Sequence, residues 1–230
     1  GDSNNKWDIF LHDLQTGITT LITSAANGGI ADEDSIKAAV SQDGRYVTFV
    51  SLADNLVSGD TNGGDGDGDI FVRDIQNGTT IRVSLHSNGT QANDFSTSPA
   101  LSGDGRYVAF QSHASNLVSG DTNGQPDIFV RDIQLNVTTR VSVHSNGAQG
   151  NGGSVAPSFS ADGRYLAFSS WAPNLVSGDT NGAYDIFIRD LQAGITTRAS
   201  VASSGVQGNN ASSLPVISAN GRYVTFYSSA

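Results

Sequence analysis

Oxygen-bearing side chains recur in this chain at a spacing that suits a hard cation. Asp121, Asn123 and Asp127 stand at relative positions 1, 3 and 7 of one loop, and Asp179, Asn181 and Asp185 repeat the pattern. Asp60, Asn62 and Asp69 do so again, with Asp65 and Asp67 as further carboxylates in an insertion, and Asp2, Asn4 and Asp8 open the chain in the same way. Calcium takes about six to eight oxygens at roughly 2.3–2.6 Å, and Asp and Asn alternating around a Gly let a short loop wrap such an ion. The spacing is similar to the later part of an EF-hand loop, without its bidentate Glu and without flanking helices. Close carboxylates repel one another unless a cation stands among them. One calcium ion per unit is therefore expected; four ions of charge +2 would set +8 against a formal net charge of −10. The same side chains also serve Asx-turns to nearby backbone N–H groups, which need no ion.

These loops belong to a tandem repeat. Asp2, Asp60, Asp121 and Asp179 divide the chain into units 2–59, 60–120, 121–178 and 179–230, a single domain with no residue left for another. A period of this size marks units that cannot bury their apolar surface alone and must stack. Within a unit the runs 127–134, 138–144 and 164–170 are rich in β-branched and aromatic residues, and a shorter run such as 100–102 or 215–218 precedes each Asp-Gly-Arg or Asn-Gly-Arg turn. In Tyr107–Phe110 residues bound for opposite faces are all apolar or aromatic, so both faces of the sheet must be covered. The expected fold is all-β: a β-propeller of four four-stranded blades. The chain opens with the last two strands of a unit (8–12, 19–23) and ends with the first two (215–218, 222–228). Together they would share one blade and close the ring; half of an eight-bladed ring formed by two chains is the alternative. A monomer and a homodimer are the corresponding states.

With 12 Lys and Arg against 22 Asp and Glu, the chain has no cationic face for nucleic acid or an anionic membrane. It has no cysteine, which excludes disulfides and thiolate metal sites. No apolar run is long enough to cross a bilayer, so membrane insertion is not expected. The missing initiator Met and leader are read as signs of a mature or excised piece.

The segment Ser-x-Asp-Gly-Arg-Tyr-[Val/Leu]-[Ala/Thr]-Phe at 41–49, 102–110 and 160–168, followed by Asp-Ile-Phe-[Val/Ile]-Arg-Asp, resembles the TolB-type, WD-like β-propeller repeat over essentially the whole chain. The resemblance implies that Asp43-Gly44, Asp104-Gly105, Asp162-Gly163 and Asn220-Gly221 are hairpin turns between the first two strands of each blade. The extended repeat looks like the version in large secreted or surface-attached bacterial proteins. It implies an extracellular or cell-surface location, with the periplasm as an option.

Nothing in the chain resembles a nucleophile elbow, a zinc-binding His-Glu-x-x-His helix or a phosphate-binding loop. His86 and His144 occupy one repeated position, while His12 and His113 belong to no constellation. Arg45, Arg106, Arg164 and Arg222, with Arg73, Arg131 and Arg189, are expected to pair with carboxylates between blades. Tyr46, Tyr107, Tyr165 and Tyr223 are expected to pack blade against blade. Variation falls on Leu52, His113 and Trp171, and Trp171 with Pro173 suits a ligand platform. The functional expectation is a calcium-stabilised, non-enzymatic binding or structural module whose loops on one face meet a protein or glycan. The alternative is the substrate-binding propeller portion of a larger secreted hydrolase.

Overall fold

The structure is a computed structural model that describes residues 4–62, 66 and 68–230; Asp2, Asp65 and Asp67 lie outside the described residues. All sixteen elements among the described residues are strands. They are β1 (Phe10–His12), β2 (Thr19–Leu21), β3 (Ser35–Val40), β4 (Tyr46–Ser51), β5 (Asp69–Asp74), β6 (Thr79–Arg82), β7 (Ser96–Leu101) and β8 (Tyr107–Ser112). They continue as β9 (Asp127–Asp132), β10 (Val137–Arg140), β11 (Ser154–Phe159), β12 (Tyr165–Ser170), β13 (Asp185–Asp190), β14 (Ile195–Arg198), β15 (Ser212–Ile217) and β16 (Val224–Ser228). Strands β3–β6, β7–β10 and β11–β14 form three antiparallel four-stranded sheets in chain order, and β1–β2 and β15–β16 form two-stranded sheets.

The doubly apolar strands do what their composition requires. On one face of the first complete blade, Val47, Phe49 and Phe71 pack with Ile22 and Ala31 of the opening unit. On the other, Val50, Ile70 and Val72 pack with Val108, Phe110 and Phe129 of the next blade. Ala109, Ile128 and Val130 then meet Leu166, Phe168 and Phe187. Each Val, Ile, Leu or Phe side chain buried this way contributes about 1.5–3 kcal/mol, so the faces between blades are the core. The register sets Phe110 opposite Phe129, and their rings stack 5.9 Å apart.

Tyr46, Tyr107 and Tyr165 pack blade against blade as expected and explain a glycine, whereas Tyr223, expected to do the same, is 59% exposed because no blade follows it among the described residues. Gly105 sits at φ +73° in its hairpin turn, and a Cβ there would fall 2.2 Å from the Tyr46 ring of the preceding blade. Tyr107 covers Gly163 and Tyr165 covers Gly221 in the same way.

The first strand of each blade begins earlier than the sequence suggests: β7 starts at Ser96, not Ala100. A bulge between Thr97 and Ala100, with Ser98 at φ +53°, breaks the alternation that marks a strand. Lys37, Ala156 and Leu214 hold the same left-handed backbone in the equivalent strands.

The expected shared blade is present as two halves. Strands β1–β2 and β15–β16 stand as separate sheets, and no pairing of β16 with β1 joins them. Phe10, Tyr223 and Tyr227 are 50%, 59% and 72% exposed as a result.

Candidate functional site

The acidic loop delivers its last carboxylate into the blade. Asp127 is the first residue of β9 and is fully buried, its Oδ1 accepting a 2.5 Å hydrogen bond from Ser142, two residues beyond the end of β10. Asn123 orders the loop: its Oδ1 accepts from Gln125 N, and its Nδ2 donates to Asp127 Oδ2 and to Gly150 O. Asn181 and Asn4 repeat this arrangement at Asp185 and Asp8.

The counter-charge comes from the last residue of the fourth strand. Arg140 Nη1 lies 3.3 Å from Asp121 Oδ1 and 3.6 Å from Asp127 Oδ2. Its Nη2 donates to Gly120 O. Gln149, held by an isolated bridge to Val143, donates Nε2 to both carboxylates at 2.9 and 3.2 Å. Arg198 and Gln207 do the same for Asp179 and Asp185, and Arg82 lies 2.6 Å from Asp60 and 3.3 Å from Asp69. These arginines are almost wholly covered, with side chains 7–11% exposed. Burial pushes the Asp69 and Asp127 carboxyls up to about 6, opposed by the serine hydroxyl and the guanidinium. Burial also raises Asp60 and Asp179.

An oxygen shell for a divalent cation does not fit this arrangement in units three and four. The guanidinium stands between the carboxylates, and nitrogens rather than oxygens of Asn123, Asn181, Gln149 and Gln207 face them. Among the described residues no three His, Cys, Asp or Glu side chains group as ligands for a metal ion. Unit one differs: Leu21 and Ile30 stand where the others have Arg and Gln, and Asp8 accepts from Asn4 and Thr23. Asp65 and Asp67, expected to add carboxylates to unit two, lie outside the described residues, as does Asp2.

Sequence reasoning passed over Arg82, Arg140 and Arg198. The signal was legible, because Thr-[Thr/Ile]-Arg-[Val/Ala]-Ser and a Gln nine residues after the Arg recur in the same three units that keep the full acidic loop.

Another expectation is corrected. Arg45, Arg106 and Arg164 pair within their own blades, not between them. Arg106 Nη2 donates to Asp132 Oδ2 at 2.7 Å while its guanidinium lies 4.9 Å over the Tyr107 ring. The turn bearing the arginine abuts the end of the third strand of the same sheet, so the carboxylate at that end is the nearest one. Arg131 and Arg189 reach Thr138 and Thr196 on the adjacent strand.

The histidines are engaged locally. His86 and His144 accept through Nδ1 from Asn88 N and Asn146 N in their turns, and His113 stacks on Phe95 at 4.2 Å. Trp171 is 53% exposed, with Nε1 donating to Gly182 O at 2.8 Å and its backbone N donating to Gly153 O. Tyr184, 36% exposed, follows Gly182 by two residues on the same loop.

No family model matches the chain, and no curated protein matches it. Among solved structures it is similar to TolB from Acinetobacter baumannii, at 16% identity and a TM-score of 0.53 over 95% of this chain. It is also similar to a putative TolB from Agrobacterium tumefaciens, at 19% identity and 0.55 over 97% of this chain and 67% of that one. A prolyl endopeptidase follows at 14% identity and 0.52, over 84% of this chain and 26% of that one. The chain spans 42% of the Acinetobacter protein's length. With these neighbours and three sheets stacked face to face, the chain has the TolB-type β-propeller fold.

Proposed function

We propose that this chain is a non-enzymatic propeller module of an exported bacterial protein, placed outside the cell, on its surface or in the periplasm, that presents one loop face to a protein or glycan. The observation that carries this reading is Trp171. Its indole is anchored by its own hydrogen bond to Gly182 O yet half exposed, beside the loop that carries Tyr184. A ring fixed before binding offers a large apolar face at little entropic cost, which suits sugars and peptide side chains alike. Leu52 and His113 occupy the equivalent place in the other blades, so the chemistry of this face varies while its frame repeats. In this reading arginine, in the place given to calcium by the spacing alone, rigidifies the loops of units two to four. No helix among the described residues is long and apolar enough to cross a membrane.

Screening the chain against glycan and peptide arrays tests the proposal, with retention by one ligand class and a loss of at least tenfold in Trp171→Ala as the expected result. Binding that survives that substitution, or substrate turnover abolished by a single point mutation, overturns it. A substrate-binding role within a larger hydrolase is the second reading, favoured by the likeness to the prolyl endopeptidase.

A further inference from the structure

Between the first and second complete blades a groove of about 480 Å³ opens beside β6 and β9. Val57, Ile81, Leu85 and Ile133 give it apolar walls, and among the described residues no Asp or Glu lines it. Arg131 stands in its wall, 4% exposed. Every hydrogen bond of this guanidinium among the described residues goes to a neutral oxygen: Nη1 donates to Thr138 Oγ1 at 3.1 Å and to His86 O at 3.5 Å, and Nη2 donates to Asn136 Oδ1 at 3.1 Å. The adjacent carboxylate, Asp132, belongs to the other face of β9, where Arg106 grips it at 2.7 Å. A buried charge ordinarily sits beside its opposite, because leaving water is costly otherwise. Burial accordingly pulls the Arg131 guanidinium below its usual value, opposed by the field of Asp132.

Asn136 is particular to this blade. It holds a left-handed backbone at φ +57° where the other complete blades have Gly78 and Gly194 at φ +65° and +69°. A Cβ on Gly78 or Gly194 would fall 3.8 or 3.7 Å from Nη2 of Arg73 or Arg189, so the position looks onto the guanidinium in every complete blade. Only here does a side chain accept the strain of that backbone to set an amide over the arginine.

We infer that this groove binds a small organic acid, its carboxylate seated on Arg131 and its hydrocarbon body against Ile81, Leu85 and Ile133. Arg131 Nε has no hydrogen-bond partner among the described residues. Together with Nη2 it forms the edge through which Arg106 grips both oxygens of Asp132, a geometry matched to a carboxylate. Asn136 Oδ1 marks the place of one such oxygen on Nη2, and its exposed amide can turn Nδ2 to the ligand. Arg82 stands elsewhere in the groove, but Asp60 and Asp69 already hold it at 2.6 and 3.3 Å, so it has no charge to spare. With 22 Asp and Glu against 12 Lys and Arg in the chain, a single carboxylate is favoured over a phosphate or a polyanion. The groove between the second and third blades is lined by Asp132, Asp162 and Arg164, so the site is one of a kind and not a repeated set. It is also separate from the loop face of Trp171, and either reading can fail without the other.

Titrating the nitrogen-15-labelled chain with hexanoate, hexanamide and inorganic phosphate, and following the Arg131 Nε–H signal by NMR, tests this directly. Hexanoate is expected to shift that signal saturably, with a dissociation constant on the order of a millimolar, and hexanamide and phosphate to leave it in place. Arg131→Gln is expected to weaken hexanoate binding at least tenfold, read from the backbone signals of Ile81 and Ile133, while Arg189→Gln, the same change outside the groove, leaves the affinity as it was. Should Arg131→Gln fail to fold, the titration of the native chain decides alone. An Arg131 signal that stays still throughout the hexanoate titration overturns the proposal. An equal response to hexanamide overturns it as well, because it reports apolar filling without recognition of charge, and an equal response to phosphate does so by reporting a general anion site. Undiminished hexanoate binding in a folded Arg131→Gln chain is the fourth contrary result.

Discussion

Arg140 Nη1 lies 3.3 Å from Asp121 Oδ1, which places a charge from the last strand of a blade inside the loop that opens its third strand. The sheet and the loop are thereby tied by one ion pair with little solvent around it. Two neighbouring units repeat the tie through Arg82 and Arg198.

Removing that arginine leaves two carboxylates facing each other away from water. Arg140→Leu, which copies the residue natural to unit one, is expected to cost about 3–5 kcal/mol. In a chain of this size that lowers the melting temperature on the order of 10 °C. Adding Asp121→Asn and Asp127→Asn to the same protein is expected to recover most of the loss, because the uncompensated charges go with the arginine. Denaturant melts of the single and triple variants check both.

The glycines separate backbone strain from close packing. Gly105 and Gly120 share φ +73°, but a Cβ on Gly105 meets the Tyr46 ring while one on Gly120 meets nothing within 4 Å. An L side chain in this region costs about 1–2 kcal/mol by itself. Gly105→Ala is expected to destabilise by about 1–3 kcal/mol more than Gly120→Ala, the cost of displacing the ring. Equilibrium unfolding of the two variants gives that difference.

Stability against pH has a worked sign. Asp69 and Asp127 titrate at about 6 in the fold against an ordinary 3.8, so the folded chain takes up protons before the unfolded one does. Through these two groups, acidification from 6 towards 3.8 stabilises. The Arg45 and Arg164 guanidiniums hold Asp74 and Asp190 at about 2. Their contribution is complete above 3.8 and is lost as pH falls towards 2. The melting temperature is expected to hold or rise between pH 7 and pH 5 and to drop below about 4, as read by calorimetry across buffers.

Much of the fold was legible because the repeat wrote it several times. Tyr107–Phe110, apolar on both faces, demanded neighbours on both sides, and the stacked blades supply them. The early start of β7 was hidden by Ser96, Thr97 and Pro99, whose polarity and bulged backbone carry no alternating pattern. The acidic residues of units two to four were located by spacing, but their counter-charge was not. Arg140 lies 19 residues beyond Asp121, and only the β9–β10 register brings its side chain back to the loop. Unit one shows the converse, since its loop keeps Asp8 while Leu21 and Ile30 replace the partners. Closure of the ring could not be read from matched ends, because matching strand patterns do not fix pairing, and β1–β2 and β15–β16 stand as separate sheets.

Thermal unfolding in excess EDTA and again in millimolar calcium tests most directly whether arginine or a metal holds the acidic loops. An ion that binds only the folded chain raises the melting temperature by mass action. With the arginines already in place, the two curves are expected to coincide, while Arg140→Leu melts well below both. A rise of several degrees with calcium in the native chain would contradict this and return the loops to the metal.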